Sequence, residues 1–204
     1  KKWRTVYNKL KKIKTAIFIS GRGSNMESLI RAASSKKFPA IIVLVITDNE
    51  LAPGIRLAKN YKIATKILDK KKFNKSQFEA ESQKALLSYK IEIICLAGFM
   101  KILSKEFISL WQNKIINIHP SYLPKNKGLN PQKQVLDEKS SFTGCTVHFV
   151  NEKVDGGKII LQKKVKILQN DDVQTLSNRI LQKEHKIYPK ALNQIASNMI
   201  RLKN

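Results

Sequence analysis

With 204 residues and a 42% hydrophobic share, the chain is long enough and apolar enough for a packed core, which excludes wholesale disorder. Lys and Arg number 39 against 15 Asp and Glu, a formal charge of +24. The lysines run through the whole sequence without a concentrated stripe or interleaved aromatics, so a solvated coat on a binder of small anions accounts for them better than a nucleic-acid surface.

Residues 1–14 read as a basic N-terminal arm that lacks the apolar run of a secretory signal, and residues 15–204 as one domain. Thr15–Ser20 is a buried first strand, Gly21-Arg22-Gly23 a tight turn, and Ser24 opens a helix with Glu27 completing a capping box. Strand, glycine turn and capped helix form an anion-binding arrangement, because free N–H groups and the positive helix end face the ligand. As a dinucleotide fingerprint it is incomplete, since Met26 stands at the third glycine position, although Asp48 lies where a ribose-binding acid is expected. Ala40–Thr47 is a second strand, Pro53–Ala58 a short helix and Ile63–Leu68 a third strand. Phe73–Tyr89 is an exposed helix, with Phe73, Gln77, Ala80, Lys84 and Leu87 mixed on its faces.

Ile91–Ala97 is the strongest strand, and the apolar loop Gly98–Leu103 after it is either a buried helix start or a slot for a flat ligand. Ser104 caps a helix through Trp111, and Ile115-Ile116-Asn117-Ile118-His119 is a strand ended by Pro120. Alternation puts Asn117 and His119 on one face at its C-terminal end, where an amide and an imidazole can steady an oxyanion and move a proton. Pro124–Gln132 is a covering loop and Pro131–Glu138 a helix. Thr146–Val150 and Ile159–Ile167 are strands joined through Asp155-Gly156-Gly157, a turn signal in which Asp155 by itself is an exposed Asx-turn residue. Asp171 and Gln174 begin a last helix with Val173, Leu176, Ile180, Ile187, Ala191 and Ile195 inward and Pro189 as a possible kink. Strands alternating with helices predict a single-domain α/β, Rossmann-like fold with a mostly parallel twisted sheet flanked by helices. Cys95 and Cys145 read as buried apolar residues of a reducing compartment, and the three histidines lack metal-ligand spacing.

Five stretches, in order, resemble the phosphoribosylglycinamide formyltransferases: Ile19–Asn25, Leu96–Ser104, Asn117–Ser121, Val154–Gly157 and Glu184–Pro189. The resemblance covers the chain from about Thr15 onward and implies transfer of a formyl group from 10-formyltetrahydrofolate, as co-substrate, to the amino group of 5-phosphoribosylglycinamide in de novo purine biosynthesis. It implies Gly23, Ser24 and Asn25 as holders of the phosphate, with Glu184 a further substrate contact, and Met100, Lys101, Ile102 and Leu103, with Asn117, along the folate. It also implies Asn117, His119 and Asp155 as the catalytic trio, Asp155 raising the His119 pKa. Two positions depart from the family: Asn74-Lys75-Ser76 replaces an arginine near the folate tail, leaving Lys75 to meet its carboxylate, and Asn130-Pro131-Gln132 replaces a Thr-His or similar pair. No metal is expected, nor a nucleic-acid or membrane partner. The expected state is a cytoplasmic monomer or homodimer. A formyl-folate hydrolase would use water as acceptor, a methionyl-tRNA formyltransferase would need a further tRNA-binding domain, and an RNA-binding module would leave the trio unexplained.

Overall fold

The strands at the middle of this chain's sheet are largely apolar because the sheet is covered on both faces. The computed structural model describes residues 11–203. Seven strands, β1 (Ile13–Ile19), β2 (Ala40–Thr47), β3 (Ala64–Ile67), β4 (Ile93–Leu96), β5 (Ile115–His119), β6 (Phe142–Phe149) and β7 (Ile159–Lys166), lie in the order β3-β2-β1-β4-β5-β6-β7. The pairs from β3 to β5 are parallel, whereas β5·β6 and β6·β7 are antiparallel, as a mostly parallel sheet requires. The helices are α1 (Ser24–Ala33), α2 (Gly54–Asn60), α3 (Lys75–Ser88), α4 (Lys105–Leu110), α5 (Pro131–Asp137) and α6 (Val173–Arg201).

Alternation along β1 divides the core. Ile17 and Ile19 pack with Met26 and Leu29 of α1 and with Tyr188 and Leu192 of α6, while Ala16 and Phe18 pack with Phe78 and Leu86 of α3 and Phe107 of α4. The chain runs outward from β1 to β3, returns across β1 to β4, and so reverses direction between β1 and β4. At such a switch point the loops leaving two neighbouring strands part, and a crevice opens at their C-terminal ends.

Several sequence expectations need correction. Most of the arm read over residues 1–14 lies outside the described residues, and Ile13 and Lys14 already pair with Ala40 and Ile41 in the sheet. Helix α3 is not simply exposed: Phe78, Ser82, Ala85 and Leu86 form a buried stripe, whereas Gln77, Ala80, Lys84 and Leu87 face solvent. Burying Phe78 alone contributes roughly 1.5–3 kcal/mol. β6 starts at Phe142, ahead of the predicted Thr146, because pairing with β7 carries the strand through Gly144 despite that residue's weak strand preference. α6 is capped by Asp172 and Thr175; Asp171 instead accepts a two-pronged ion pair from Arg179, at 2.6 Å for each bond. Val173 stays half exposed, and Pro189 sits inside an unbroken helix.

Candidate active site

The first wall of the crevice is the turn from β1 into α1. Gly23, not Ser24, is the N-cap: it takes φ 78° and no side chain caps the helix, so Ser24 is the first helical residue. Glu27 does not return to the helix start; it pairs with Arg31 at 2.6 Å and accepts from the Tyr61 hydroxyl at 3.3 Å. The expected capping box is therefore absent, and the first N–H groups of α1 remain available to an anion. A side chain at position 23 would need a left-handed backbone and would place its Cβ 2.9 Å from Met26 Cε and 3.1 Å from Gly54 Cα. Asn25 Nδ2 donates to Glu184 at 2.8 Å, while its buried Oδ1 has no partner among the described residues. Glu184 is 5% exposed, and burial raises its pKa against the opposing bond from Asn25.

The second wall is the loop leaving β4. Its Gly98 takes φ 68°, the Ser20 N–H donates to the Gly98 carbonyl at 3.1 Å, and the Met100 N–H donates to Ser20 Oγ at 3.0 Å, tying this loop to the end of β1. Of the two readings of the loop, the buried helix start holds only at its last residue. Met100 and Ile102 are exposed at 71% and 67%, whereas Leu103 is a core residue beside Phe107. Lys101 Nζ lies 4.7 Å from the centre of the Phe78 ring. Asn74, at one of the two departures from the family pattern, is the cap of α3, accepting from the Gln77 N–H at 2.9 Å, and Lys75 beside it is exposed.

The chemistry gathers at the end of β5. Pairing with β6 sets Asn117 opposite His148 and His119 opposite Thr146. Asp155, far along the chain, folds back so that Oδ2 is 3.4 Å from His119 Nδ1 and Oδ1 is 3.5 Å from His148 Nε2. Its side chain is 8% exposed, its φ is 49°, and Oδ2 accepts the Gly128 N–H at 2.9 Å. The turn and the buried carboxylate are thus one feature, and the exposed Asx-turn expected from Asp-Gly-Gly is corrected. Gly157 adds a requirement the turn signal does not contain, since a Cβ there would lie 1.7 Å from the Phe149 carbonyl oxygen.

His148 lies in this cluster although the sequence reading did not single it out. Its Nδ1 donates to the Phe149 carbonyl at 2.8 Å, and its Nε2 sits 3.4 Å from Asn117 Nδ2. The strand pattern around Thr146 and His148 was the available signal, but only the β5·β6 register brings His148 against Asn117. His119 Nε2 donates to the Asn126 carbonyl at 2.9 Å, so both of its ring nitrogens face acceptors and the imidazolium alone satisfies both. Burial nonetheless outweighs the Asn126 carbonyl and Asp155 and holds the His119 pKa below the ordinary value, reversing the net direction expected from the carboxylate alone. For Asp155, burial works upward, but bonds from His148 and the Gly128 N–H keep its pKa lowered. Among the described residues no group of three or more His, Cys, Asp or Glu side chains is arranged to hold a metal ion, and no helix is long and apolar enough to cross a membrane.

Residues 13–192 match the formyl transferase family. The chain is 38% identical to phosphoribosylglycinamide formyltransferase of Haemophilus influenzae over 192 residues, covering 94% of this chain and 91% of that protein. It superposes on the crystal structure of phosphoribosylglycinamide formyltransferase from Brucella melitensis with a TM-score of 0.87 and 45% identity, over 91% of this chain and 96% of that one. It is also 43% identical over 192 residues to the trifunctional purine biosynthetic protein adenosine-3 of Gallus gallus, of whose length it spans 19%.

Proposed function

The chain belongs to the formyl transferase family, with phosphoribosylglycinamide formyltransferases as its relatives, and we propose that it transfers a formyl group from 10-formyltetrahydrofolate to the amino group of 5-phosphoribosylglycinamide, a step of de novo purine biosynthesis. The observation that carries the reading is the convergence of Asn117, His119 and Asp155, joined by His148, at the C-terminal end of β5 beside an uncapped helix start.

Folate supplies the formyl group. Attack by a neutral amine builds negative charge on the formyl oxygen, and Asn117 Nδ2 and His119 Nε2 are the donors for it. Releasing the Asn126 carbonyl frees Nε2 for that task, and the growing negative charge draws His119 toward its protonated form, in which Nδ1 donates to Asp155. As the bond between the formyl carbon and the folate nitrogen breaks, His119 passes a proton to that nitrogen, and the proton shed by the attacking amine replaces it. His148 Nε2 lies within reach of both the Asn117 amide and the Asp155 carboxylate and holds the two side by side. Gly23, Ser24 and Asn25 present backbone N–H groups to the phosphate, and Glu184 sets the Asn25 amide behind them. Met100, Lys101 and Ile102 flank the folate; Leu103 supports them from the core.

The donors are side chains and backbone, so the scheme needs neither metal nor ATP. We place the enzyme in the cytoplasm, as a monomer or homodimer acting on two small molecules without nucleic acid or membrane. A formyl-transfer assay comparing phosphoribosylglycinamide, water and initiator tRNA as acceptors tests the reading. Transfer to the ribonucleotide alone is expected, and turnover with water or tRNA in its place would overturn it.

A further inference from the structure

We propose that Tyr188 is a positioning residue for this reaction, its hydroxyl clamping the ends of β4 and β5 so that Asn117 is fixed against the loop that leaves β4. The inference rests on the formyl-transfer reading. Tyr188 is fully buried, and its hydroxyl lies 2.8 Å from the Leu96 carbonyl oxygen and 3.1 Å from that of Ile116. One proton is shared between two acceptors that belong to different strands.

The two acceptors mark the place where the ladder stops. Leu96 and Asn117 are the last partners of the parallel β4·β5 pair, and Ile116 supplies the carbonyl of the peptide that contains the Asn117 nitrogen. Beyond Leu96 come Ala97 and Gly98, whose φ of 68° turns the loop toward Met100. Past this point the strands lack each other's hydrogen bonds, and Tyr188 supplies the last tie before the crevice. One turn earlier on the same face of α6, Glu184 accepts from Asn25 at the start of α1. A single helical face therefore meets the anion cradle at one residue and the Asn117 strand at the next. A phenylalanine would fill nearly the same volume, and a buried hydroxyl costs free energy unless it is bonded, so packing by itself does not call for the tyrosine.

Tyr188→Phe in the full chain tests the clamp, with Ile180→Val as a control: Ile180 is a core residue on the same helix, and its truncation destabilises without touching the strand ends. At a temperature well below both melting points, kcat of Tyr188→Phe is expected to fall about 10- to 100-fold, the scale of a small misplacement at a reacting centre. KM for the ribonucleotide should stay within about twofold, because the Asn25–Glu184 bond is untouched. Amide hydrogen exchange should quicken selectively in residues 97–103 and 117–119 while β2 keeps its protection. A variant with wild-type kcat, or with exchange raised uniformly as in Ile180→Val, overturns the clamp. Should the wild-type protein transfer formyl to no acceptor, the reading of the reaction falls and the exchange pattern alone decides whether Tyr188 holds the strand ends.

Discussion

Asp155 holds a left-handed backbone, φ 49°, and places a nearly buried carboxylate between two imidazoles and the Gly128 N–H. Asparagine tolerates that backbone and keeps the size, so Asp155→Asn separates charge from shape. Loss of the charge should lower kcat by roughly 10²–10⁴-fold, the span of positioned acid–base groups. It should also lower the His119 pKa further, since Asp155 is one of the influences raising it. Rates measured against pH on wild type and mutant check both effects, and wild-type kcat across neutral pH would remove Asp155 from the mechanism. Glu184 makes a forecast of opposite sign. Its folded pKa lies above the unfolded value, so the charged form is disfavoured in the fold. Stability is then full below the unfolded carboxyl pKa and is lost as pH rises through the folded one. Glu184→Gln can still accept from Asn25 and carries no charge to bury. Its melting temperature relative to wild type should rise as pH increases above the ordinary carboxyl range, while ribonucleotide binding weakens. A melting difference that does not vary with pH would show that Glu184 carries no buried charge.

Among elements, the β1–α1 turn is the most sharply specified. Gly23→Val forces a β-branched residue into φ 78° with a Cβ 3.1 Å from the Gly54 backbone, costing roughly 1–3 kcal/mol. The displaced N–H groups should weaken ribonucleotide binding while folate binding persists, as calorimetric titration of both ligands in the folded variant would show. Equal losses would refute the cradle. This turn also marks how far the sequence can be read. Ser24-x-x-Glu27 has the letters of a capping box, but the pattern contains nothing about backbone angle, and a left-handed Gly23 moved the helix start by one residue. β1 and β2 were legible because burial on both faces makes them apolar over nearly all their length. The buried stripe of α3 was not, because a weakly amphipathic helix shows no clear face until Phe18 and Phe107 are set beside it. Asn117 and His119 follow from alternation within one strand, whereas His148 requires the register between two strands separated by a loop and a helix. Long-range register is what local pattern lacks.

At the scale of the whole molecule, the 39 basic residues far outnumber the 15 acidic ones, so most lysines have no acidic partner to claim. The ion pairs that form, such as Glu27–Arg31, Glu50–Lys72 and Asp137–Lys133, lie largely in solvent and contribute little each. On the edge strand β7, Lys158 just before it and Lys163, Lys164 and Lys166 within it are exposed, a placement that blocks edge-to-edge pairing and needs no ligand. A coat of this kind repels itself, and salt should relieve the repulsion. Melting temperature is therefore expected to rise when sodium chloride is increased from a few millimolar to physiological strength, where the screening length is about 8 Å. The same coat should bind tRNA and duplex DNA only loosely, with a steep salt dependence from released counterions and no preference for sequence. A filter-binding titration across that salt range separates the alternatives, because a diffuse coat loses nearly all affinity by physiological strength. Tight and selective binding that survives there would mean that the lysines form a built nucleic-acid surface, and the charge would then belong to the function.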